Sequence, residues 1–184
     1  MDNGASSYRH FLNGDENAFS EILDMYRENL IFFINRTVNN LSVAEELAAD
    51  AFAELLVHPK RYDFSVSLKT YIFTIAHNKM VSYIRKASRF TMVTCEEAPV
   101  KSLEYASFEE NIIKEERKKM LHEALLELPN DYRMVLHLIY FEDMSYADAG
   151  KVMHKNVKQV TNLAYRAKNS LRTILEKGGF SYDE

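Results

Sequence analysis

The sequence is poor in residues that make turns and cross-links. It has one cysteine, Cys95, three prolines, five glycines and no tryptophan in 184 residues. A lone cysteine excludes an internal disulfide and any zinc cluster built on cysteines, and it fits a reducing compartment. So few glycines and prolines argue against a fold of many short strands, each of which needs a turn, and favour long helices. The longest apolar run, residues 30–34, is far too short to span a bilayer. The N-terminus lacks the basic stretch and apolar core of a secretory signal. A cytoplasmic protein is expected.

What is present is ordinary in bulk: 47% hydrophobic and 27% charged residues, typical of a folded chain. The net charge of −4 disfavours nucleic acid when taken as a sum. Its distribution is different, with residues 1–59 at −7, 60–90 at +6, 91–150 at −7 and 151–177 at +6. A DNA footprint is a local feature, so two basic blocks matter more than the total. Each block taken alone also fits a solvated surface.

Apolar residues recur at helical spacing. Asn13-Gly14 marks a turn, after which Asp15 can cap a helix carrying Phe19, Ile22, Leu23, Tyr26, Leu30, Phe33 and Ile34 inward. Ser42 and Glu45 have capping-box spacing before a helix expected to turn Leu47, Ala48, Ala51, Phe52, Leu55 and Leu56 inward, and Pro59 ends that helix. A third helix is expected over about 67–86 with Leu68, Ile72, Ile75, Ala76, Met80 and Tyr83 as core positions. Residues 88–106 have no period and read as a linker. Ser107 to Glu110 form a second capping box, opening a helix that Pro129 closes, and a short helix follows around 132–141. Ser145 caps a helix of about two turns, and Asn156 with Gln159 caps a last one running to about Glu176, stopped by Gly178-Gly179. The expected fold is all-α: two small helical domains, 1–87 and 107–184, joined by a flexible linker, the second a helix-turn-helix.

In the last helix, Val157, Val160, Leu163, Ala164, Ala167, Leu171, Ile174 and Leu175 fall within one arc of about 120°. The other side carries Lys158, Gln159, Thr161, Asn162, Tyr165, Arg166, Lys168, Asn169 and Arg172, with no carboxylate among them. A merely soluble face mixes Glu with Lys. A cationic and amide face suits phosphates and base edges, with Lys and Arg donating to guanine and Asn and Gln pairing with adenine. A short helix, a tight turn and this helix make a helix-turn-helix over 144–175, in which residues 158–166 reach the major groove and Lys168 and Arg172 meet phosphate. An interaction domain built from the same two helices remains an alternative.

The first basic block has another character. Tyr71, Thr74, Asn78, Ser82 and Arg85 form a polar stripe on the third helix, followed by Lys86, and the loop before it holds Lys60, Arg61, Tyr62, Asp63 and Phe64. Aromatic faces beside cations suit unstacked single-stranded bases. Tyr62 and Phe64 read more simply as anchors of the loop to the core.

Two stretches resemble the extracytoplasmic-function sigma factors, small members of the main bacterial RNA polymerase sigma family. The first comprises Asp15-Glu16-Asn17-Ala18-Phe19, Ala44-Glu45-Glu46-Leu47 with Phe52, and Thr70-Tyr71-Ile72-Phe73-Thr74-Ile75-Ala76-His77-Asn78 with Arg85-Lys86. The second comprises Leu128-Pro129, Arg133, Leu136, Met144-Ser145-Tyr146, Ala149, Val157, Val160, Tyr165-Arg166-Ala167-Lys168 and Leu171-Arg172. The resemblance implies a promoter-specificity factor without catalysis or cofactor. Lys60, Arg61, Tyr62, Phe64, Tyr71, Asn78, Ser82, Arg85 and Lys86 would hold the minus-ten single strand. Lys158, Gln159, Thr161, Asn162, Tyr165, Arg166, Lys168 and Arg172 would read the minus-thirty-five duplex. Glu45, Glu46, Asp50 and Phe52 would dock on the largest subunit of core RNA polymerase, the C-terminal domain would touch the other large subunit, and an anti-sigma factor would hold the protein inactive. The linker, with Glu96 and Glu97, would run through the polymerase interior. Tyr71 replaces a usual Trp, Ala49 a common Gln and Ser82 a frequent Asp, and Ala149-Gly150 stands for a usual Ile-Ala.

The competing readings are a helix-turn-helix regulator that acts on duplex DNA without polymerase, and a helical adaptor or enzyme. The six histidines, His10, His58, His77, His122, His137 and His154, show no metal-ligand spacing, and no glycine-rich phosphate loop is present.

Overall fold

The fold is a computed structural model, and it describes residues 4–91 and 112–180. Those residues form eight α-helices: α1 (Ala5–Leu12), α2 (Asn17–Val38), α3 (Leu41–Val57), α4 (Leu68–Thr91), α5 (Ile112–Glu127), α6 (Asn130–Leu136), α7 (Tyr146–Met153) and α8 (Val157–Lys177). A 3₁₀ turn, Pro59–Arg61, precedes α4, and a π turn, His137–Phe141, prolongs α6. No strand occurs among the described residues. The architecture is all-α.

In the first half, α2, α3 and α4 pack around Phe19, Ile22, Leu30, Phe33, Ala48, Phe52, Leu68, Ile72 and Phe73. These positions recur at i+3 and i+4, so one side of each helix is apolar and closes on the others. The helix starts follow local chemistry with one correction. α3 is capped not by Ser42 but by Asn40, whose Oδ1 accepts from the Val43 amide at 3.2 Å. Asn40 adopts the extended backbone that a cap needs, whereas Ser42 already lies inside the helix. Ser67 caps α4 through the Thr70 amide.

α1 lies in a stretch where periodicity gave no expectation. It is eight residues long, too short for a clear repeat, and rests on one fully buried side chain, Tyr8. The Tyr8 hydroxyl donates to the Leu55 carbonyl at 2.9 Å, and burial pushes its pKa up to about 12.

In the second half, α5, α6, α7 and α8 enclose Leu125, Val135, Leu138, Ala149, Val152, Val160, Ala164 and Ala167. Arg133 donates to the Leu126 carbonyl, one of the last acceptors of α5. Ser145 caps α7 through the Asp148 amide at 3.1 Å. Asn156 and Gln159 cap α8 reciprocally, each bond 2.9 Å. Three expected core positions are in fact exposed: Leu56 near the end of α3, Tyr83 on α4 and Val157 at the first turn of α8. The expected linker over 88–106 and the capping box at Ser107 lie largely or wholly outside the described residues. The two halves touch each other, α4 against α7 and α2 against α6.

Candidate nucleic-acid interface

α7, a turn at His154 and Lys155, and α8 form the helix-turn-helix. His154 ends α7 in the left-handed region at φ 54°. Its neighbour Lys155 donates its amide back to the Gly150 carbonyl at 2.9 Å, which closes the turn tightly.

Every expected reading residue of α8 is exposed: Lys158, Gln159, Thr161, Asn162, Tyr165, Arg166, Lys168 and Arg172. Tyr165 is 69% exposed. Three of the eight are partly engaged within the helix. Gln159 spends its carbonyl oxygen on the cap, Thr161 donates to the Val157 carbonyl, and Arg172 pairs with Glu176 at 2.7 Å. The exposed Arg172–Glu176 pair is weak and easily exchanged for a phosphate. The opposite face, with Val160, Ala164 and Ala167, is buried. The helix therefore holds a fixed set of cations and amides outward on a rigid rod.

The first basic block divides into open and closed members. Lys60, Arg61, Asn78, Ser82, Arg85 and Lys86 are exposed, and Tyr71 and Phe64 are half-buried. Tyr62 is only 4% exposed. Its ring lies 4.9 Å from Tyr71 and 5.5 Å from Tyr8, and its hydroxyl donates to the Val66 carbonyl at 2.7 Å. In this conformation Tyr62 has no face to offer a base and anchors the loop. Burial raises the pKa values of both Tyr62 and Tyr71. Phe64 sits at the loop tip with φ 61°, held by an Asp63 side chain that accepts from the Ser65 amide. Arg61 pairs with Glu54.

The sequence reading missed Arg9. Its guanidinium lies 4.7 Å from the Phe64 ring centroid, so α1 brings a further cation to the aromatic loop. It also missed Lys69, a member of the same basic block, which is turned toward the second half instead. Neither position has a periodicity signal, because each acts across elements distant in sequence.

Between α2 and α3 runs a groove lined by Phe19, Leu23, Arg27, Glu45, Phe52 and Leu56. Glu45, Glu46 and Asp50 are exposed, while Phe52 is buried and packs edge-on to Phe19. Among the described residues no group of three His, Cys, Asp or Glu side chains could hold a metal ion, and no helix is long and apolar enough to cross a membrane.

Comparison with known proteins gives matches in the same order. The family model for sigma-70 region 2 matches residues 22–90, and that for sigma-70 region 4 matches 118–171. Together they cover 123 of the 184 residues. The chain is 26% identical to the ECF RNA polymerase sigma factor SigW of Bacillus subtilis, over 88% of this chain and 91% of that protein. It is 27% identical to SigM, an ECF RNA polymerase sigma factor of the same organism, over 86% of this chain and 95% of that protein. In fold it resembles the sigma factor RpoE of Bartonella quintana, solved with its anti-sigma factor NepR, with a TM-score of 0.69 and 23% identity, covering 86% of this chain and 96% of that one. A helix-turn-helix regulator working alone has no need of region 2, so that alternative is not favoured. The chain belongs to the sigma-70 family, among the extracytoplasmic-function RNA polymerase sigma factors.

Proposed function

We propose that this sigma factor grips its two promoter elements with two different surfaces, a duplex reader on α8 and a strand-holding surface on α4 with its preceding loop. The observation that carries this reading is the α8 face, where eight cationic, amide, hydroxyl and aromatic side chains all point to solvent. Lys158, Asn162 and Arg166 read base edges of the minus-thirty-five element, and Lys168 and Arg172 bind phosphate. Lys60, Arg61, Phe64, Tyr71, Asn78, Ser82, Arg85 and Lys86 hold the minus-ten strand, with Tyr62 beneath them as support. The acidic residues Glu45, Glu46 and Asp50 beside the α2–α3 groove dock on the largest subunit of core polymerase, with Phe52 as the groove floor.

The functional units are residues 1–87 and 107–184, with 88–106 as the connection between them. The second unit also touches the other large polymerase subunit. The protein has no catalysis of its own and works in the cytoplasm. An anti-sigma factor holds it inactive, as the partner named with the Bartonella protein suggests by analogy.

Transcription with purified core polymerase on fragmented genomic DNA tests the reading. Specific start sites are expected only when the chain is added. Start sites that survive simultaneous replacement of Lys158, Asn162 and Arg166 by Ala would overturn the α8 assignment.

A further inference from the structure

Two amide side chains stand in the first two turns of α8, Gln159 and Asn162, and both are exposed. The helix treats them differently. Oε1 of Gln159 accepts from the Asn156 backbone amide at 2.9 Å, while Oδ1 of Asn156 accepts from the Gln159 backbone amide at the same distance. The group that meets the Gln159 side chain is a backbone N–H, which can only donate. The end of the amide facing it is therefore the oxygen, and Nε2 is the end left for a partner outside the helix. Among the described residues no hydrogen bond engages the side chain of Asn162, so both ends of that amide are available.

The difference matters because an amide reads adenine with both ends at once. It donates to N7 and accepts from the N6 amino group, and the pair is selective only when the two bonds form together. For Gln159 to present Oε1 to a base, its bond to the Asn156 amide must break, which undoes one half of a reciprocal cap and returns an orphan donor to the start of the helix. With the cap kept, Gln159 can only donate. In the major groove guanine offers two acceptors, O6 and N7, and thymine offers one, O4. Cytosine offers only a donor there, and adenine sets its N6 donor beside its single acceptor. A donor-only side chain thus ranks guanine first and thymine second.

The two amides are three residues apart, so they are neighbours on the helix surface, about 4.5 Å apart along its axis. Base pairs stack about 3.4 Å apart. The two side chains are thus spaced to meet neighbouring base pairs.

We propose that the capping box at the start of α8 also sets base specificity: it makes Gln159 a donor-only reader that selects guanine, and thymine second, and leaves Asn162 as the adenine reader. The inference rests on the assignment of α8 to the minus-thirty-five duplex made above.

The test uses the full chain assembled with core polymerase and a duplex library randomised across the minus-thirty-five element, with the bound pool sequenced. Gln159→Glu keeps an acceptor for the Asn156 amide, since glutamate serves a capping box as well as glutamine does, and turns the donor end into an acceptor. Asn162→Asp makes the same change on the other amide. The wild type is expected to enrich guanine or thymine at one position and adenine at another. Gln159→Glu should move only the first position, toward cytosine, by about 5-fold or more, and Asn162→Asp only the second, also toward cytosine. Gln159→Met, uncharged and without a donor, should flatten the first position. A new negative charge weakens binding to every duplex alike, so base preference, not affinity, is the readout. Adenine at the position that responds to Gln159 overturns the proposal, because the amide would then have left the cap to pair with both ends. Wild-type preferences at every position in the Gln159→Glu pool overturn it as well and assign Gln159 to a phosphate. A pool unchanged by simultaneous replacement of Lys158, Asn162 and Arg166 by Ala overturns instead the α8 assignment on which the proposal stands.

Discussion

The carbonyl oxygen of Lys155 lies 2.6 Å from the point where a Cβ on Gly150 would sit. Real Cβ atoms do not approach a backbone oxygen so closely, and this oxygen belongs to the turn between α7 and α8 rather than to a flexible side chain. The family's usual alanine at this position is therefore excluded here by the local path of the turn, which the Lys155 amide to Gly150 carbonyl bond also draws inward. Gly150→Ala should destabilise the chain by about 1–3 kcal/mol, as overpacking does, against a helix-propensity gain of about 1 kcal/mol. A fall in the urea midpoint is the expected result. A rise would mean that the turn is looser than its geometry shows.

On α8, single replacements of Lys158, Asn162 or Arg166 by Ala should leave stability within about 0.5 kcal/mol, since all three are exposed. Each should weaken binding of a minus-thirty-five duplex by about 1–3 kcal/mol if it reads a base. Lys168→Ala should instead lower the affinity for all duplexes alike and reduce the salt slope. Titrations at two salt concentrations separate these outcomes.

Tyr62 tests the division of labour in the aromatic loop. Tyr62→Phe loses only the bond to the Val66 carbonyl and should cost about 1 kcal/mol. Tyr62→Ala empties a site between Tyr8 and Tyr71 and should cost about 3–5 kcal/mol. If Tyr62→Ala were as stable as the wild type yet failed at promoter opening, a direct role in base stacking would replace the anchoring one.

Acid should weaken the fold in a defined window. Burial, foremost, lowers the pKa of His137 below its ordinary 6.5, with Arg36 and Lys69 acting in the same direction and Glu142 opposing. His77 is lowered for the same leading reason, helped by His154 and Lys155 and opposed by a hydrogen bond that the protonated ring gives to Asn78 and by Asp131. Unfolded, both rings take up a proton near pH 6.5; folded, they resist it. Their contribution is therefore complete above that pH and lost as pH falls from 6.5 toward their lower folded values. Glu142 is pushed up by burial but held below the ordinary 4.5 overall by hydrogen bonds from His137 and Lys69, so its contribution is lost only at more acid pH. The urea midpoint should fall between pH 7 and about 5.5. His137→Gln, which keeps a donor and cannot titrate, should flatten that slope; an unchanged slope would remove His137 from the account.

Where the physics is local, the order of residues already implied it. The Asn156–Gln159 cap, the Ser145 cap, the buried Val160–Ala164–Ala167 face and the outward cations of α8 all depend on neighbours within four residues. The α8 surface was therefore legible almost whole. Exceptions arose where a residue is placed by something distant. Leu56, Tyr83 and Val157 fit the apolar period but stay exposed. Tyr62 could be read from sequence either as a ring for bases or as an anchor of its loop, and it is Tyr8 of α1, which no periodicity announced, that packs on it and leaves it 4% exposed.

The sequence alone settled every helix but α1, the caps at Ser145 and Asn156, the two basic blocks and the family resemblance, because helix periodicity and charge clustering are written in adjacent positions. The tertiary structure alone decided which half of the aromatic loop is closed, why Gly150 must lack a side chain, and that Lys69 leaves the DNA-facing block to meet Glu142, 73 positions away. No local pattern specifies such a pair. A buried carboxylate acquires its partners only when packing has removed the water that would otherwise satisfy it.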